Sequence, residues 1–285
     1  MTIERISVLG AGTMGHGIAQ VAAQAGFKTT LYDIEHALVD AGLERVTANL
    51  DKGIARGKVT EESRAATLAN LSGTTDLEAA AATDLIIEAI PERMELKRQV
   101  FGELDAAAPA GAIFASNTSS LSIAEIAAAT KRPHQVLGMH FFNPVHIMAL
   151  LEIVVHDDTA DATLAAAQDV AGALGKTSIV VRDVPGFATS RLGIVLGLEA
   201  IRMVEQEVAS AEDIDTAMEL GYRHPMGPLR LTDLVGLDVR LGIAEYLHEQ
   251  LGSEAFRPPE LLRRMVDEGK LGKKSGTGFY DWSAD

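Results

Sequence analysis

The sequence predicts an α/β domain over residues 1–184, followed by an all-α domain over residues 185–285. In the first part, short apolar and β-branched runs alternate with helical patterns, which is typical of a parallel sheet built from βαβ units. In the second part, helical periodicity continues with almost no strand-like run. Pro185 and Gly186 mark the change, because proline interrupts regular structure and glycine permits unusual backbone angles.

Composition and charge narrow the class of protein. The 285 residues are 47% hydrophobic, which is enough to bury a large core. The formal net charge of −15 argues against nucleic acid or an anionic membrane surface as the main partner, and favours a small molecule or another protein. No cysteine is present, which excludes disulfides, thiolate metal sites and a cysteine nucleophile, and no metal site is predicted. Because no secretory or membrane-spanning segment is apparent, we expect a cytoplasmic protein.

Each predicted strand of the first domain is a short apolar or β-branched run followed by a polar residue or a turn signal. In chain order the runs are ISVLG, KTTLYD, ATDLIIEAI, GAIFASN, QVLGMHFF and IMALLEIVV. An alanine-rich stretch with helical periodicity lies between the first two runs and ends at Ala25. This alternation predicts strands in one sheet with helices packed against it.

The first predicted strand leads into a loop that reads GAGTMG and matches the pattern GxGxxG. The loop opens a predicted helix that is followed by a second strand, and this context is specific for a Rossmann-like dinucleotide-binding domain. Gly10 permits the tight turn, Gly12 lets the backbone approach a pyrophosphate, and Gly15 lets the helix pack on the strand. Thr13 and Met14 complete the loop, whose free N–H groups are expected to face the phosphates.

Asp33 lies at the carboxyl end of the second predicted strand. Its carboxylate can accept hydrogen bonds from both ribose hydroxyls, whereas a 2′-phosphate would meet a like charge. We therefore predict NAD rather than NADP as the cofactor. His16, just after the glycine loop, is interpreted as a surface residue of the first helical turn.

A polar segment, SNTSSLS, follows the predicted strand GAIFA. Ligands of open α/β sheets bind beyond the carboxyl ends of the strands, so Ser119 and its neighbours are candidates for contact with substrate or cofactor. Ser122 and Glu125 also have the spacing of a capping box, which would satisfy the first N–H groups of a helix. Composition favours capping for most of the segment, and both interpretations stay open here.

A histidine and a glutamate bracket a predicted hairpin, whose turn is signalled by Asn143 and Pro144. If the two strands run antiparallel, His140 and Glu152 can be neighbours. A glutamate bonded to one imidazole nitrogen would fix the tautomer and stabilise the imidazolium, which suits proton removal during alcohol oxidation. Spacing alone does not rank His140 above three other histidines nearby: His134, His146 and His156.

The motifs resemble those of the L-3-hydroxyacyl-CoA dehydrogenase family, including its short-chain 3-hydroxybutyryl-CoA members. The matching segments, in the family's order across essentially the whole chain, are GAGTMGHGIAQ, IIEAIPE, ASNTSSL, GMHFFNPVHIMALLEIV, VPGF, HPMGPLRLTDLVGLD and GKKSGTGFYDW. The resemblance implies NAD-dependent interconversion of (S)-3-hydroxyacyl-CoA and 3-oxoacyl-CoA. The alternative substrates are 3-hydroxyadipyl-CoA and a non-CoA hydroxy acid such as L-gulonate. The alternative function is that of a non-catalytic NAD-binding scaffold.

The resemblance also implies roles for individual residues. His140 corresponds to the general base that takes the 3-hydroxyl proton, and Glu152 to the residue that orients it. Ser119 and Asn143 correspond to residues that hydrogen-bond near the substrate oxygen and the nicotinamide. Cofactor contacts are implied for Glu92 and Lys97, in the helix after IIEAIPE, and for Lys274 or its neighbour Lys273. Positive charge for the phosphates of coenzyme A is implied at the helical stretch after Asp33, at Lys52, Arg56 and Lys58.

One position departs from the family pattern. Where the family reads VPGFxxNR, with an asparagine that contacts substrate, this chain reads VPGFATSR and has Ser190. Serine is shorter and cannot donate and accept hydrogen bonds in the same geometry. We therefore expect a changed substrate preference or turnover.

The helix predicted to begin near Ala188 carries apolar residues almost around its circumference, namely Leu192, Ile194, Val195, Leu196 and Leu198. Such a helix should be buried on more than one side. It either forms the core of the all-α domain or contributes to a homodimer interface. We predict a homodimer that associates through the C-terminal helical domain.

Overall fold

The computed structural model describes residues 2–283, and the chain divides into two units between Val184 and Pro185. We call them the N-terminal unit and the C-terminal unit. Within the described residues, no helix has both the length and the apolar character needed to cross a membrane. The cytoplasmic location expected from the sequence stays a prediction.

An eight-stranded sheet forms the centre of the N-terminal unit. Its strands are β1 (Arg5–Leu9), β2 (Lys28–Tyr32), β3 (Leu71–Thr74), β4 (Leu85–Glu88), β5 (Ile113–Ser116), β6 (Val136–Phe141), β7 (Leu150–Val155) and β8 (Thr177–Arg182). Their spatial order is β3-β2-β1-β4-β5-β6-β7-β8, and β6 and β7 form the antiparallel pair in an otherwise parallel sheet. This arrangement confirms the predicted α/β, Rossmann-like architecture.

Helices connect these strands and cover the sheet. They are α1 (Gly15–Gln24), α2 (His36–Ala55), α3 (Glu61–Ala69), α4 (Leu77–Ala81), α5 (Met94–Ala107), α6 (Ile123–Ala127) and α7 (Asp161–Ala173). The central strands β4 and β5 are buried at every position, because helices cover both faces of a parallel sheet.

The order of the strands reverses between β1 and β4, since the chain first builds outward to β3 and then returns to the other side of β1. In the register of the sheet, Glu88 at the end of β4 lies between Leu9 of β1 and Ser116 of β5. The carboxyl ends of these strands therefore meet at a topological switch point, which is where open α/β sheets bind ligands.

The C-terminal unit is helical, as predicted. Its helices are α8 (Thr189–Glu205), α9 (Ala211–Thr216), α10 (Pro228–Val235), α11 (Leu237–Leu251) and α12 (Glu260–Asp267). Among its described residues, β-structure is limited to isolated bridges at Gly272, Thr277 and Asp281. The apolar core includes Ile201, Leu229 and Leu247, which are fully buried.

A buried aspartate at the end of α10 organises the last described segment of the chain. The Asp233 carboxylate accepts hydrogen bonds from the N–H groups of Phe279 and Tyr280, each 2.9 Å long. It also accepts a 2.8 Å hydrogen bond from the indole Nε1 of Trp282. Parts of the motifs HPMGPLRLTDLVGLD and GKKSGTGFYDW therefore have a structural role, because this carboxylate joins them.

The predicted burial of α8 on more than one side does not include Leu192. That side chain is 69% exposed, whereas Ile194 and Leu198 are buried. Helix α8 packs against α10, α11 and α12, and its buried residues, such as Ile194, Leu198 and Ile201, have the spacing of one helical face, opposite Leu192. The predicted homodimer interface is one surface that would cover this exposed leucine.

Candidate active site

The glycine loop connects β1 to α1, and two of its glycines are required by packing. Gly10 has a φ of +95°, and a Cβ atom there would lie 2.6 Å from the carbonyl oxygen of Ala89. A Cβ atom on Gly15 would lie 1.7 Å from the carbonyl oxygen of Gly10. Glycine at these positions therefore allows the turn and the close approach of α1 to the sheet.

Gly12 is different, because a Cβ atom there would meet no protein atom within 4 Å. The packing of the described chain does not require glycine at this position. The open space lies beside the exposed Thr13 and the half-buried Met14, at the N-terminal end of α1, where backbone N–H groups favour an anion. The loop therefore fits the pyrophosphate of a dinucleotide.

Asp33 directly follows β2, and its carboxylate lies against the glycine loop. One oxygen accepts a 2.7 Å hydrogen bond from the N–H of Ala11, and the other accepts a 2.8 Å bond from the N–H of Ile34. These bonds fix a partly exposed carboxylate beside the loop. His16 lies in the first turn of α1 and is half-buried, with its Nδ1 2.7 Å from the carbonyl oxygen of Gly12.

The hairpin of β6 and β7 brings the predicted histidine and glutamate together. His140 and Glu152 are directly opposite in the antiparallel register, and Nδ1 of the histidine lies 2.7 Å from Oε2 of the glutamate. Glu152 is fully buried and the His140 side chain is 7% exposed. The predicted neighbourhood of these two residues is confirmed, and it places an imidazole against a carboxylate shielded from water.

The second strand of this hairpin begins later than the sequence predicted. Strand β7 begins at Leu150, so Ile147 and Met148 belong to the connecting loop. The N–H groups of both residues donate to the carbonyl oxygen of Pro144, which forms a compact turn instead of an extended strand. The Lys176 ammonium donates further hydrogen bonds to backbone carbonyl oxygens of this loop, including one of 2.7 Å to Met148.

The three competing histidines have other surroundings. His156 is buried, and its Nε2 lies 3.1 Å from the carbonyl oxygen of Pro133, which is a structural contact. His134 and His146 are exposed. Partial burial lowers the pKa of His146, and the nearby charges of His16 and Lys176 lower it further. Among these four histidines of the N-terminal unit, His140 is therefore the one placed against a buried carboxylate.

The structure bears out the capping interpretation of the SNTSSLS segment, whereas contact of its other residues with substrate or cofactor stays a prediction. Ser122 caps α6, since its hydroxyl accepts a 3.3 Å hydrogen bond from the N–H of Glu125. Ser119 is half-buried, and its N–H donates a 3.0 Å hydrogen bond to the Glu92 carboxylate. The capping prediction is confirmed at Ser122, while Ser119 lies with Glu92 at the carboxyl end of the sheet.

Glu92 and Lys97 lie close together. The sequence placed both in one helix, and the structure places only Lys97 there. Glu92 precedes helix α5, which begins at Met94, so it is not a helical residue. The Lys97 ammonium is almost completely buried, 2.6 Å from Glu88 Oε1 and 3.2 Å from Glu92 Oε2. Sequence reasoning did not single out Glu88, although it lies within IIEAIPE, because the motif alone does not show that this glutamate is buried against Lys97.

Asn117 is a second residue that sequence reasoning did not single out. Its side-chain oxygen accepts a 2.9 Å hydrogen bond from the N–H of Phe141, next to His140, and its own N–H donates to the carbonyl oxygen of Glu88. Asn117 thereby ties the ends of three neighbouring strands. Asn143 lies two residues beyond β6, where it is exposed and precedes a cis peptide bond.

The remaining predicted residues lie elsewhere in the two units. The predicted coenzyme A contacts are exposed at and after the end of α2, as Lys52, Arg56 and Lys58. Ser190, in the first turn of α8, belongs to the C-terminal unit, as do Lys273 and Lys274. Lys274 donates a 2.6 Å hydrogen bond to the Asp238 carboxylate, whereas the Lys273 ammonium lies 4.9 Å from the ring centroid of Trp282. Their roles toward substrate and cofactor stay predictions.

Two family models together match most of the chain. Residues 5–184 match the NAD binding domain of 3-hydroxyacyl-CoA dehydrogenase, and residues 186–282 match the C-terminal domain of the same family. The first match spans the sheet, the glycine loop and the histidine–glutamate pair. The second spans most of the helical unit.

Individual relatives agree with these models. The 3-hydroxybutyryl-CoA dehydrogenase of Mycobacterium tuberculosis is 45% identical over 282 residues, which cover 98% of this chain and 99% of the relative. The structure of (S)-3-hydroxybutyryl-CoA dehydrogenase PaaH1 from Ralstonia eutropha has a TM-score of 0.95, with 41% identity and 99% of each chain covered. The 3-hydroxyadipyl-CoA dehydrogenase of Escherichia coli is 40% identical, and the match covers 100% of this chain and 60% of the relative.

Proposed function

Because the chain belongs to the 3-hydroxyacyl-CoA dehydrogenase family and is an NAD-dependent enzyme of that family, we propose that it interconverts (S)-3-hydroxybutyryl-CoA and 3-oxobutyryl-CoA. The observation that carries the proposal is the buried pair of His140 and Glu152, 2.7 Å apart, in the unit that also contains the glycine loop. An alcohol can lose hydride only if a base also takes its hydroxyl proton, and this pair supplies one.

His140 acts as the general base in this proposal. The Glu152 carboxylate accepts a hydrogen bond, so Nδ1 of the imidazole carries the proton and Nε2 is the basic nitrogen. In oxidation, the C3 hydroxyl proton passes to Nε2 while the C–O bond becomes a carbonyl. Glu152 stabilises the imidazolium that forms, and in the reverse direction His140 returns the proton.

When bound, NAD would supply the hydride chemistry at C3, as acceptor in oxidation and as NADH donor in reduction. The glycine loop would hold its pyrophosphate, and the Asp33 carboxylate would bind the ribose hydroxyls. Ser119 and Asn143 would hydrogen-bond near the substrate oxygen, and the exposed part of Glu92 would face the cofactor. Basic residues after Asp33 would bind the phosphates of coenzyme A: Lys52, Arg56 and Lys58.

A specific observation supports 3-hydroxyadipyl-CoA as a second candidate substrate, because the relative from Escherichia coli that is 40% identical carries that name. The two substrates differ at the far end of the acyl group, where one has a methyl group and the other a carboxylate. Discrimination between them therefore depends on whether the acyl pocket holds a positive charge. Ser190, like the asparagine of the family pattern, is neutral and would not supply that charge.

A substrate panel tests the proposed function. Initial rates of NADH formation should be measured with 3-hydroxyacyl-CoA substrates of increasing length, with 3-hydroxyadipyl-CoA, and with free hydroxy acids that include L-gulonate. We expect the highest kcat/KM with (S)-3-hydroxybutyryl-CoA. A higher value with 3-hydroxyadipyl-CoA would favour the second candidate, and a higher value with a free hydroxy acid would exclude both.

We further propose that the protein is a homodimer formed through the C-terminal unit. Three helices that pack together in this unit, α8, α10 and α11, leave large apolar side chains exposed. They are Leu192, Leu231, Leu234, Val235 and Val239. A surface of this kind is typical of a protein–protein interface, and two copies of one chain can bury the same surface symmetrically.

A charged substitution on α11 should separate the two copies. Val239→Asp should shift the mass in solution from that of a dimer to that of a monomer, because an aspartate would be buried without a partner in the interface. Sedimentation analysis at micromolar concentration measures this shift. Val208→Asp serves as a matched control, since Val208 is exposed but follows the end of α8, and it should leave the dimer intact. A wild-type protein that sediments as a monomer would contradict the proposal.

A further inference from the structure

We infer that Glu88 and Lys97 are positioning residues, a buried charged pair that holds Glu92 and, through it, the turn that carries Ser119. The inference rests on the proposed function, because it concerns the placement of a residue proposed to contact substrate. Neither residue needs to touch substrate or cofactor to act in this way.

Glu88 lies at the centre of a buried network at the carboxyl end of β4. It is fully buried, and its Oε1 accepts hydrogen bonds from the Lys97 ammonium at 2.6 Å and from the N–H of Ile90 at 2.8 Å. Its Oε2 accepts a 2.6 Å hydrogen bond from the hydroxyl of Ser116 at the end of β5. Each carboxylate oxygen therefore has a donor, and the donors come from the next turn, the next helix and the next strand.

Lys97 links Glu88 to Glu92, which lies closer to the proposed substrate site. Its ammonium, 1% exposed, lies between two carboxylates, those of Glu88 and Glu92. The Glu92 side chain is 42% exposed, and its Oε1 accepts hydrogen bonds from the Thr118 hydroxyl at 2.5 Å and the N–H of Ser119 at 3.0 Å. The buried Lys97 ammonium therefore fixes the Glu92 carboxylate, and that carboxylate in turn fixes the backbone of the turn at Ser119.

A second route leads from Glu88 to the same turn. The Ser116 hydroxyl donates to Glu88 and accepts a 3.2 Å hydrogen bond from the N–H of Thr118. The Thr118 hydroxyl in turn accepts hydrogen bonds from the N–H groups of Ser120 and Leu121. Two routes of hydrogen bonds therefore begin at the Glu88 carboxylate and meet at Thr118, next to Ser119.

Stability alone does not account for this pair. Burial raises the pKa of the Glu88 carboxyl, and the Lys97 ammonium and the Ser116 hydroxyl oppose that shift. Replacing a buried ion pair with apolar side chains of similar volume is often neutral or stabilising, so such a pair is weak evidence for a stabilising role. A fully satisfied polar network does, however, fix its members in one arrangement. That property is what a positioning role requires.

A pair of variants separates positioning from stability. Glu88→Gln keeps the shape of the side chain but removes the charge that holds Lys97. The double variant Glu88→Leu with Lys97→Met replaces the ion pair with apolar side chains of similar size. We expect kcat for (S)-3-hydroxybutyryl-CoA to fall about 10- to 100-fold in both, because small displacements of positioning groups have effects of that order. The KM for NAD should change less than kcat.

The melting temperature and the kcat of the double variant, measured together, decide between the two roles. We expect a value near that of the wild type together with a low kcat, whereas wild-type kcat in that folded variant would overturn the inference. If both variants fail to fold, Ser116→Ala decides, since it removes one oxygen from the second route. A several-fold lower kcat in Ser116→Ala would support the inference, and an unchanged kcat would overturn it.

A matched control is available in another ion pair of the N-terminal unit. Asp105 and Arg132 are 2.7 Å apart and largely buried, and Asp105 lies near the end of α5. Asp105→Asn should lower the melting temperature without lowering kcat at a temperature where the variant is folded. Wild-type turnover must be established first. Its absence would defeat the proposed function, whereas unaltered variants of an active enzyme would defeat only the positioning inference.

Discussion

Replacing His140 with glutamine should lower kcat for oxidation of (S)-3-hydroxybutyryl-CoA by about 10³-fold, within the range typical of a lost general base. Glutamine retains polarity and approximate size, but its amide cannot take a proton at neutral pH. The Kd for NAD should change little, because the residues proposed to bind NAD lie elsewhere in the sheet. The glycine loop follows β1 and Asp33 follows β2, whereas His140 lies in β6. Calorimetric titration with NAD and stopped-flow measurement of NADH formation give the two quantities.

The neighbouring histidines supply the control for this variant. His134→Gln changes an exposed residue of the same unit and should leave kcat within about twofold of the wild type, since surface substitutions have small effects. Near-wild-type turnover in His140→Gln would remove His140 from the mechanism. A parallel loss in His134→Gln would show that the assay responds to something other than the proposed base.

Replacing Glu152 with glutamine should lower kcat by about 10³- to 10⁴-fold, as is typical when the carboxylate that orients a catalytic histidine becomes an amide. The introduced amide could donate to Nδ1 of His140, which would place the imidazole proton on Nε2 and block the basic nitrogen. The substitution would also remove the charge that stabilises the imidazolium. Single-turnover kinetics at saturating NAD isolate this effect on the chemical step.

Glu125→Gln is the matched control for Glu152→Gln, because Glu125 is an exposed glutamate of α6 in the same unit. It should retain wild-type kcat. The melting temperature of Glu152→Gln must also be recorded, since Glu152 is fully buried. A folded Glu152→Gln variant with wild-type turnover would contradict the orienting role.

Much of the N-terminal unit could be predicted because the sequence patterns that indicate it lie within short segments of the chain. Alternating strand and helix patterns indicate βαβ units, and the glycine loop needs only adjacent residues. The pairing of His140 with Glu152 also followed from a local hairpin. Since side chains alternate between faces of a sheet, a one-residue slip in that hairpin would have separated the two residues.

The residues that sequence reasoning missed depend on contacts between distant strands. Glu88 and Asn117 are polar residues at the ends of apolar strands, and their roles arise from the register of β4, β5 and β6. Lys97 was expected beside the cofactor, but the sequence could not show that two carboxylates enclose its ammonium. The exposure of Leu192 likewise depends on which face of α8 packs against its neighbours.

We propose that this protein transfers a hydride from C3 of a 3-hydroxyacyl-CoA to NAD while a protein base takes the hydroxyl proton. Mass spectrometry of NADH formed from (S)-3-hydroxybutyryl-CoA deuterated at C3 tests this claim most directly. We expect one deuterium in each NADH, equimolar 3-oxobutyryl-CoA, and no reaction with the (R) enantiomer. NADH that contains no deuterium, or equal rates with both enantiomers, would contradict it.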